Sequence, residues 1–445
     1  MNKILPIFIF IATSISSYAQ AILGFPGESA ASVGIYVKDI STGKVAVSHE
    51  SGKALVPASV MKSVTAASTL STLPGDFRFA TDVYLTGNIS DRVCTGNLII
   101  ESCADPTIDS KYFEDDYSEF ALEIRNALRH EGIDSIRGKI VIRQSLTDEG
   151  CIPQWQIDDV AWPYGAGLYG FNFADNAFRL WPLTGVTEPY IPDLTVQVKY
   201  AESSDLVRGI NSNNLIAYGP RTANKNWMMR SAMPNPAKAY QHLLEKSLNR
   251  ANIAIGNNPV PENGDRTLLL THHSPSLCEI LRVMMVESHN LYAEAMLRTL
   301  APGKSRKKAI EAAIDIWKGR NVSTSYNLIL DGSGLARANR LRPEFLGEVL
   351  AWMAKSQYSA EYVSLFPKAG EEGTVKGLLA KTPLKGKLAL KSGSMNSVQC
   401  YAGYKIDASG KPTHAVVIMI NGFFCSRAEL RKAIEKFLVT QFHTY

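Results

Sequence analysis

A serine hydroxyl is a poor nucleophile near neutral pH until a base takes its proton, and a lysine one helical turn away can be that base. Ser59 and Lys62 meet that requirement in the run Pro57-Ala58-Ser59-Val60-Met61-Lys62-Ser63-Val64-Thr65. On a solvated helix face Lys62 would be decoration, yet Ala66, Ala67 and Leu70 continue the run as a face that predicts burial. Burial penalises the charged form of an amine and lowers its pKa, which is what a lysine base needs.

Spacing alone does not single the pair out. Ser-x-x-Lys recurs at Ser41/Lys44, on a hairpin turn, and at Ser305/Lys308, in a basic stretch, and neither is expected to present a hydroxyl from a helix start. Two further elements add weight: Ser288-His289-Asn290 closes a long apolar helix, and Lys391-Ser392-Gly393 lies on a strand suited to edging a site. Ser-x-Asn is a weak signal, repeated at Ser212, Ser247, Ser325 and Ser394, whereas Lys-[Ser/Thr]-Gly occurs once.

The elements that must position these residues come from both ends of the chain. Between 31 and 49 two alternating β-rich runs meet at Thr42-Gly43, a hairpin signal, and lead straight to the serine. Pro57 and Ala58 open a helix expected to run to about Leu73, where Pro74-Gly75 ends it. Residues 81–271 have another texture, with short β-type runs at 81–87, 96–102, 138–144 and 194–200 separated by aromatic-rich turns. They read as an inserted β-rich region, expected to form two subdomains, that splits a catalytic domain made of 22–80 and 272–445. Helical periodicity returns at Ser276, which has capping-box spacing to Glu279, and continues through 277–290 and 291–300. A strand is expected to lead into Asp331-Gly332-Ser333-Gly334 and a helix to begin near Pro343. The chain should then close with two strands, 388–406 and 414–424, and a helix at 428–442 whose Leu430, Ile434, Phe437 and Leu438 cover a sheet face.

Composition bounds the function. With 445 residues, 45% hydrophobic and 20% charged, the chain is neither disordered nor membrane-embedded in class. A formal net charge of +5 and no run of five basic residues argue against a nucleic-acid partner. Residues 1–19, with Lys3 before an apolar core and small residues before Gln20, have the layout of a signal peptide, so export is expected. No C-x-x-C spacing occurs among Cys94, Cys103, Cys151, Cys278, Cys400 and Cys425, which sets aside zinc-knuckle and thioredoxin readings. A Cys400–Cys425 bridge and buried free thiols are both open. Neither His-Glu-x-x-His nor Gly-x-Ser-x-Gly is present, so zinc and Ser-His-Asp hydrolases are not indicated.

Ser-x-x-Lys at an early helix start, Ser-x-Asn between helices and Lys-Ser-Gly on a late strand, in that order, resemble the active-site serine penicillin-binding proteins and β-lactamases. The resemblance narrows to the low-molecular-mass class C penicillin-binding proteins, the D-alanyl-D-alanine carboxypeptidases and endopeptidases of the bacterial periplasm. Those carry a large insertion between the first two motifs, and here more than two hundred residues separate Lys62 from Ser288. Asp331 to Asn339 and Ser288 to Glu294 resemble further family stretches, as do Ala104 to Thr107, Trp155 to Asp159 and Tyr164 to Ala166 within the insert.

The resemblance implies an α/β (α+β) fold: a five-stranded antiparallel sheet flanked by helices, split by the insert. It implies Ser59 as acylated nucleophile, Lys62 as its base, Ser288 as proton relay to the leaving amine, and Asn290 as the group orienting Lys62 and the substrate amide. Lys391 and Ser392 would hold the substrate carboxylate, Gly393 would allow close backbone approach, and the backbone N–H groups of Ser59 and Ser394 would form the oxyanion hole. Asp159, with Asp158 an equal local candidate, and Arg337 would read the free end of the peptidoglycan side chain. Stem peptides are the implied substrate and β-lactams the implied covalent inhibitors, with no metal or cofactor; a weak membrane or cell-wall association is left open. Arg342 departs from the family where a threonine is common, and Ala104 where glycine is. Two alternatives stand beside this reading. A β-lactamase would share the acylation apparatus, though the deacylating pattern Glu245 to Asn249 precedes Ser288 instead of following it. A non-catalytic penicillin-binding scaffold would keep the fold without the intact motifs.

Overall fold

In the computed structural model, residues 22–442 are described except 115, 117, 147, 211 and 262–265. The expected signal peptide lies outside these residues.

The sheet behind the motifs joins the two ends of the chain. Strands β1 (Ser32–Asp39) and β2 (Val45–His49) form the early hairpin, and β3 (Leu388–Met395), β4 (Val398–Ile406) and β5 (Pro412–Asn421) come from the C-terminal part. Their order is β3-β4-β5-β1-β2, antiparallel throughout. The run 388–406, expected as one strand, is therefore two. Asn396-Ser397 makes a two-residue turn, with Ser397 at φ 54, the positive-φ conformation that tight hairpins demand.

Strand β5 shows why its apolar residues do not alternate with polar ones: both faces are covered. Ala415, Val417 and Met419 join one core, and Val416, Ile418 and Ile420 join another. The first core packs against α1 (Met61–Leu70), α2 (Leu277–Val286), α3 (Asn290–Thr299) and α4 (Pro343–Lys355). The second is closed by α5 (Arg427–Phe442), whose Leu430, Ile434 and Leu438 are buried as expected, with Phe437 partly so. Every residue of α1 is buried, which accounts for the small side chains around Lys62. The Ser276 hydroxyl and the Glu279 carboxylate cap α2 reciprocally, as their spacing predicts.

The segment before Gly334 is not a strand. Leu328 meets Arg340 in one isolated bridge, and the chain then wraps around the Asp331 side chain, which supplies the acceptors that a neighbouring strand would have offered. Ser305, expected away from a helix start, caps the helix Arg306–Lys318, but Lys308 there is exposed and paired with Glu311.

Among the described residues between α1 and α2 lie four further sheets, built around the strands Ala80–Thr86, Ala177–Trp181, Asn214–Gly219 and Ser135–Ile136, and two α-helices, Glu119–His130 and Pro236–Arg250. Phe120, Phe171, Phe173, Phe178 and Tyr240 are the large side chains of their shared core. Glu245 sits on the second of these helices, bonded to Gln241. All six cysteines are free thiols. No described helix is long and apolar enough to cross a membrane.

Candidate active site

The loop before Ser59 is fixed from the far end of the chain. The Asn421 side chain, at the end of β5, accepts from the Val56 N–H at 2.7 Å and donates to the Val56 carbonyl at 3.1 Å. Ala58 then takes φ 46, costly for a residue with a Cβ, and Ser59 follows in a short 3-10 turn, Ala58–Val60, that runs into α1. Two glycines let other segments close on this turn. A Cβ on Gly334, itself at φ +82, would lie 1.9 Å from the Ala58 carbonyl oxygen. A Cβ on Gly393 would lie 2.6 Å from the Pro57 carbonyl oxygen and 3.0 Å from the Ser59 nitrogen. The β3 backbone thus passes close over the Ser59 N–H, and Ser394 comes next along that strand.

Lys62 is fully buried, and its Nζ lies 3.1 Å from Ser59 Oγ. It also donates to Asn290 Oδ1 at 2.6 Å and to the Ser333 carbonyl at 2.7 Å. A neutral amine has two N–H donors and one lone pair, so those two acceptors leave the lone pair for the serine hydroxyl. Burial lowers the Lys62 pKa to about 7 against the opposing pull of Asp331 and Glu294. Half of the amine is therefore free base at neutral pH.

The acids behind Lys62 are themselves held. Asp331 accepts from the Gly334 and Ala336 N–H groups, from Asn339 and from the Trp155 indole. Glu294, on α3 one turn beyond Asn290, accepts from the N–H groups of Gly332 and Ser333, and burial, with Asp331 nearby, raises its pKa to about 7.

The second and third motifs meet on the other side. Ser288 sits at φ 61 in the break between α2 and α3, and its Oγ accepts from Lys391 Nζ at 2.9 Å. Lys391 is also fully buried, and burial followed by the Lys62 charge pushes its pKa well below the usual lysine range. The Ser392 hydroxyl lies 2.7 Å from that of Thr374. Asn290 ties the two sides to the insert, donating to the Tyr164 carbonyl at 2.7 Å.

The remaining expected residues gather at the outer edge. Tyr164 donates its hydroxyl to Asp159 at 3.0 Å, and burial together with Asp159 raises its pKa, opposed by the nearby Arg337 charge. Arg337 itself is exposed. Ser394 accepts at its hydroxyl from Arg427, which also grips Gln399 and the Met395 carbonyl from the first turn of α5.

Thr374, Asn421 and Arg427 escaped sequence reasoning, since each acts from within an unremarkable segment on a residue 18, 365 and 33 positions away. Asp331 and Glu294 were in view only as parts of matching stretches. The spacing of Asn290 and Glu294, four apart on one helix face, was the available signal. Of the two departures, Ala104 holds φ 63, a glycine-like conformation, and Arg342 is buried and donates to the Ser323 carbonyl at 3.0 Å.

Residues 19–442 match the D-Ala-D-Ala carboxypeptidase 3 (S13) family. The chain belongs to this family. Among its relatives, a D-alanyl-D-alanine carboxypeptidase of Actinomadura sp. (strain R39) is 26% identical, over 91% of this chain and 81% of that one. The D-alanyl-D-alanine carboxypeptidase DacB of Haemophilus influenzae is 24% identical, over 92% and 89%. The fold is that of the H. influenzae penicillin-binding protein 4 crystal structure, with a TM-score of 0.82 at 22% identity over 95% of this chain and 98% of the other. The same protein complexed with a β-lactam aligns with a TM-score of 0.76.

Proposed function

We propose that this S13-family protein is an exported serine D,D-peptidase, acting as a carboxypeptidase on the terminal D-Ala-D-Ala bond of stem peptides and as an endopeptidase on D,D cross-links. The observation that carries the reading is a fully buried Lys62 amine, poised near pH 7, within 3.1 Å of the Ser59 hydroxyl. In this reading Lys62 takes the Ser59 proton and Oγ attacks the penultimate D-Ala carbonyl carbon. The oxyanion gathers the N–H groups of Ser59 and Ser394, a contribution of ~3 kcal/mol for each donor. The tetrahedral intermediate collapses as the leaving amine takes a proton through the Ser288 hydroxyl, and water later hydrolyses the ester.

Lys391 and Ser392 receive the substrate's terminal carboxylate. An entering anion opposes the burial that strips the Lys391 charge, so ligand and ammonium stabilise each other. Asp159 and Arg337 recognise the far end of the stem peptide. Residues 22–80 and 272–445 form the peptidase domain in this scheme, 81–271 the insert, and residues 1–19 a signal peptide that directs the chain to the periplasm. A β-lactam amide follows the same path, but its leaving amine stays tethered, which slows hydrolysis of the ester.

Intact-mass spectrometry after brief exposure to benzylpenicillin tests this. The native protein is expected to carry one drug mass and Ser59→Ala none. Drug consumed without an adduct would mean a β-lactamase, and drug left intact would mean a non-catalytic scaffold.

A further inference from the structure

A second cleft, of about 170 Å³, opens beside the acylation chamber and shares Ser288 and Asn290 with it. Its wall is completed from the insert by Lys111, Tyr112, Asp175 and Arg230. Two of these are cations without an ion pair or hydrogen bond among the described residues. Lys111 has only the Tyr112 ring, 4.7 Å from its Nζ, and Arg230 stands on the strand Met229–Ala232 facing the same space. Burial and then the Arg230 charge lower the Lys111 pKa, against Asp175 and Glu287, so the two cations feel each other.

The acids nearby do not neutralise them by contact. Asp175 is turned inward, accepting from Ser110 at 2.7 Å and Tyr292 at 3.2 Å and facing His289 Nε2 at 3.6 Å. Glu287 lies exposed on the Ser288 side. His289 is held neutral by burial, with its pKa lowered to about 4, and its buried Nδ1 has no hydrogen-bond partner among the described residues. Two cations with no ion pair among the described residues, the exposed Lys111 and the half-buried Arg230, turned to one concave wall beside the Ser288 hydroxyl are a binding site's residues, not a core's.

We propose that this cleft is a carboxylate subsite for the leaving half of a cross-linked peptide, with Lys111 and Arg230 as its anion-binding pair. The assignment rests on the D,D-peptidase reading above. Ser288 hands its proton to the leaving amine, and the residues on either side of it, Glu287 and His289, line the cleft. The chain attached to that amine therefore passes this wall, whereas a single departing D-alanine is too short to use it.

The test compares the full chain with the Lys111→Met/Arg230→Met variant on three reactants: a cross-linked peptide dimer, the same dimer with its leaving-stem carboxylates amidated except the one beside the scissile amide, which Lys391 and Ser392 hold, and benzylpenicillin. The variant is expected to lose about tenfold or more in kcat/KM on the free-acid dimer, mainly through KM, the scale of losing charge-assisted hydrogen bonds. Amidation should cost the native protein the same factor and the variant nothing, while penicillin acylation stays within about twofold. Arg230→Lys should recover part of the loss. Equal rates on both dimers by the native protein would overturn the subsite, even if the variant fails to fold. Cleavage of terminal D-alanine with no dimer cleavage would also overturn it and leave the carboxypeptidase reading standing. Loss of penicillin acylation by the native protein's Ser59 would instead sink the reading beneath it.

Discussion

The two walls of the acylation chamber each bury a lysine completely, and they treat it in opposite ways. Lys62 is backed by two acids, an amide oxygen and a carbonyl, and its amine settles near neutrality. Among the described residues Lys391 has no acid as a partner, only the Ser288 hydroxyl and the Ser392 carbonyl, and its pKa lies well below the usual lysine range. Acids behind the first lysine partly offset desolvation and hold its pKa near 7, where the proposed mechanism needs a base. Their absence behind the second leaves a vacancy of charge that a substrate carboxylate can fill. Identical side chains at equal depth thus acquire different chemistry from what stands behind them.

Exchanging these surroundings for none should break the comparison most sharply at Lys62. Lys62→Met is expected to slow acylation by benzylpenicillin by about 10³-fold, within the range of general-base removal, and stopped-flow or mass-resolved acylation rates measure it. The native rate should fall as pH drops through about 7, because the base must be unprotonated, with roughly a tenfold loss per unit well below that point.

Lys391→Met should hurt differently. Peptides with a free terminal carboxylate are expected to lose roughly 30- to 100-fold in kcat/KM, the scale of charged hydrogen bonds at ~2–3 kcal/mol. Their C-terminal amides, already poor, should react with the variant and the native protein alike. If the amides suffer equally, Lys391 supports the strand and does not bind the anion.

The smallest effect belongs to Glu294→Gln, which keeps an acceptor for the Gly332 and Ser333 N–H groups but removes a charge that raises the Lys62 pKa. The acylation profile should then shift to lower pH. At pH 7 the gain is at most about twofold, since half the amine is already free.

Much of this was legible in the chain because the deciding signals are local. Ser59 and Lys62 share a helical turn, Asn290 follows Ser288 by two residues, and Lys391 to Gly393 is one unbroken triplet. The strands and helices around them carry their own periodicity and caps. What escaped was set by distant chain. Asn421 fixes Val56 across 365 residues, so no window around either shows it. The Asp331 segment looked like a strand because the sequence shows apolar residues and not the side-chain carboxylate that satisfies its backbone. The run 388–406 hid a hairpin because Asn396-Ser397 lacks the glycine that usually marks one.

The hydrogen bonds of Lys62 span 228 residues to Asn290 and 271 to Ser333, and Lys391 reaches back 103 to Ser288. Contacts of such range form late in folding, because loop-closure entropy must be met before they contribute. In the proposed mechanism the hydroxyl therefore gains its base, and the base its lowered proton affinity, only when the final sheet closes over the first helix. A half-folded chain holds an inert serine, so reactivity itself reports on completed folding: the fraction of molecules that penicillin can label during refolding should count finished sheets.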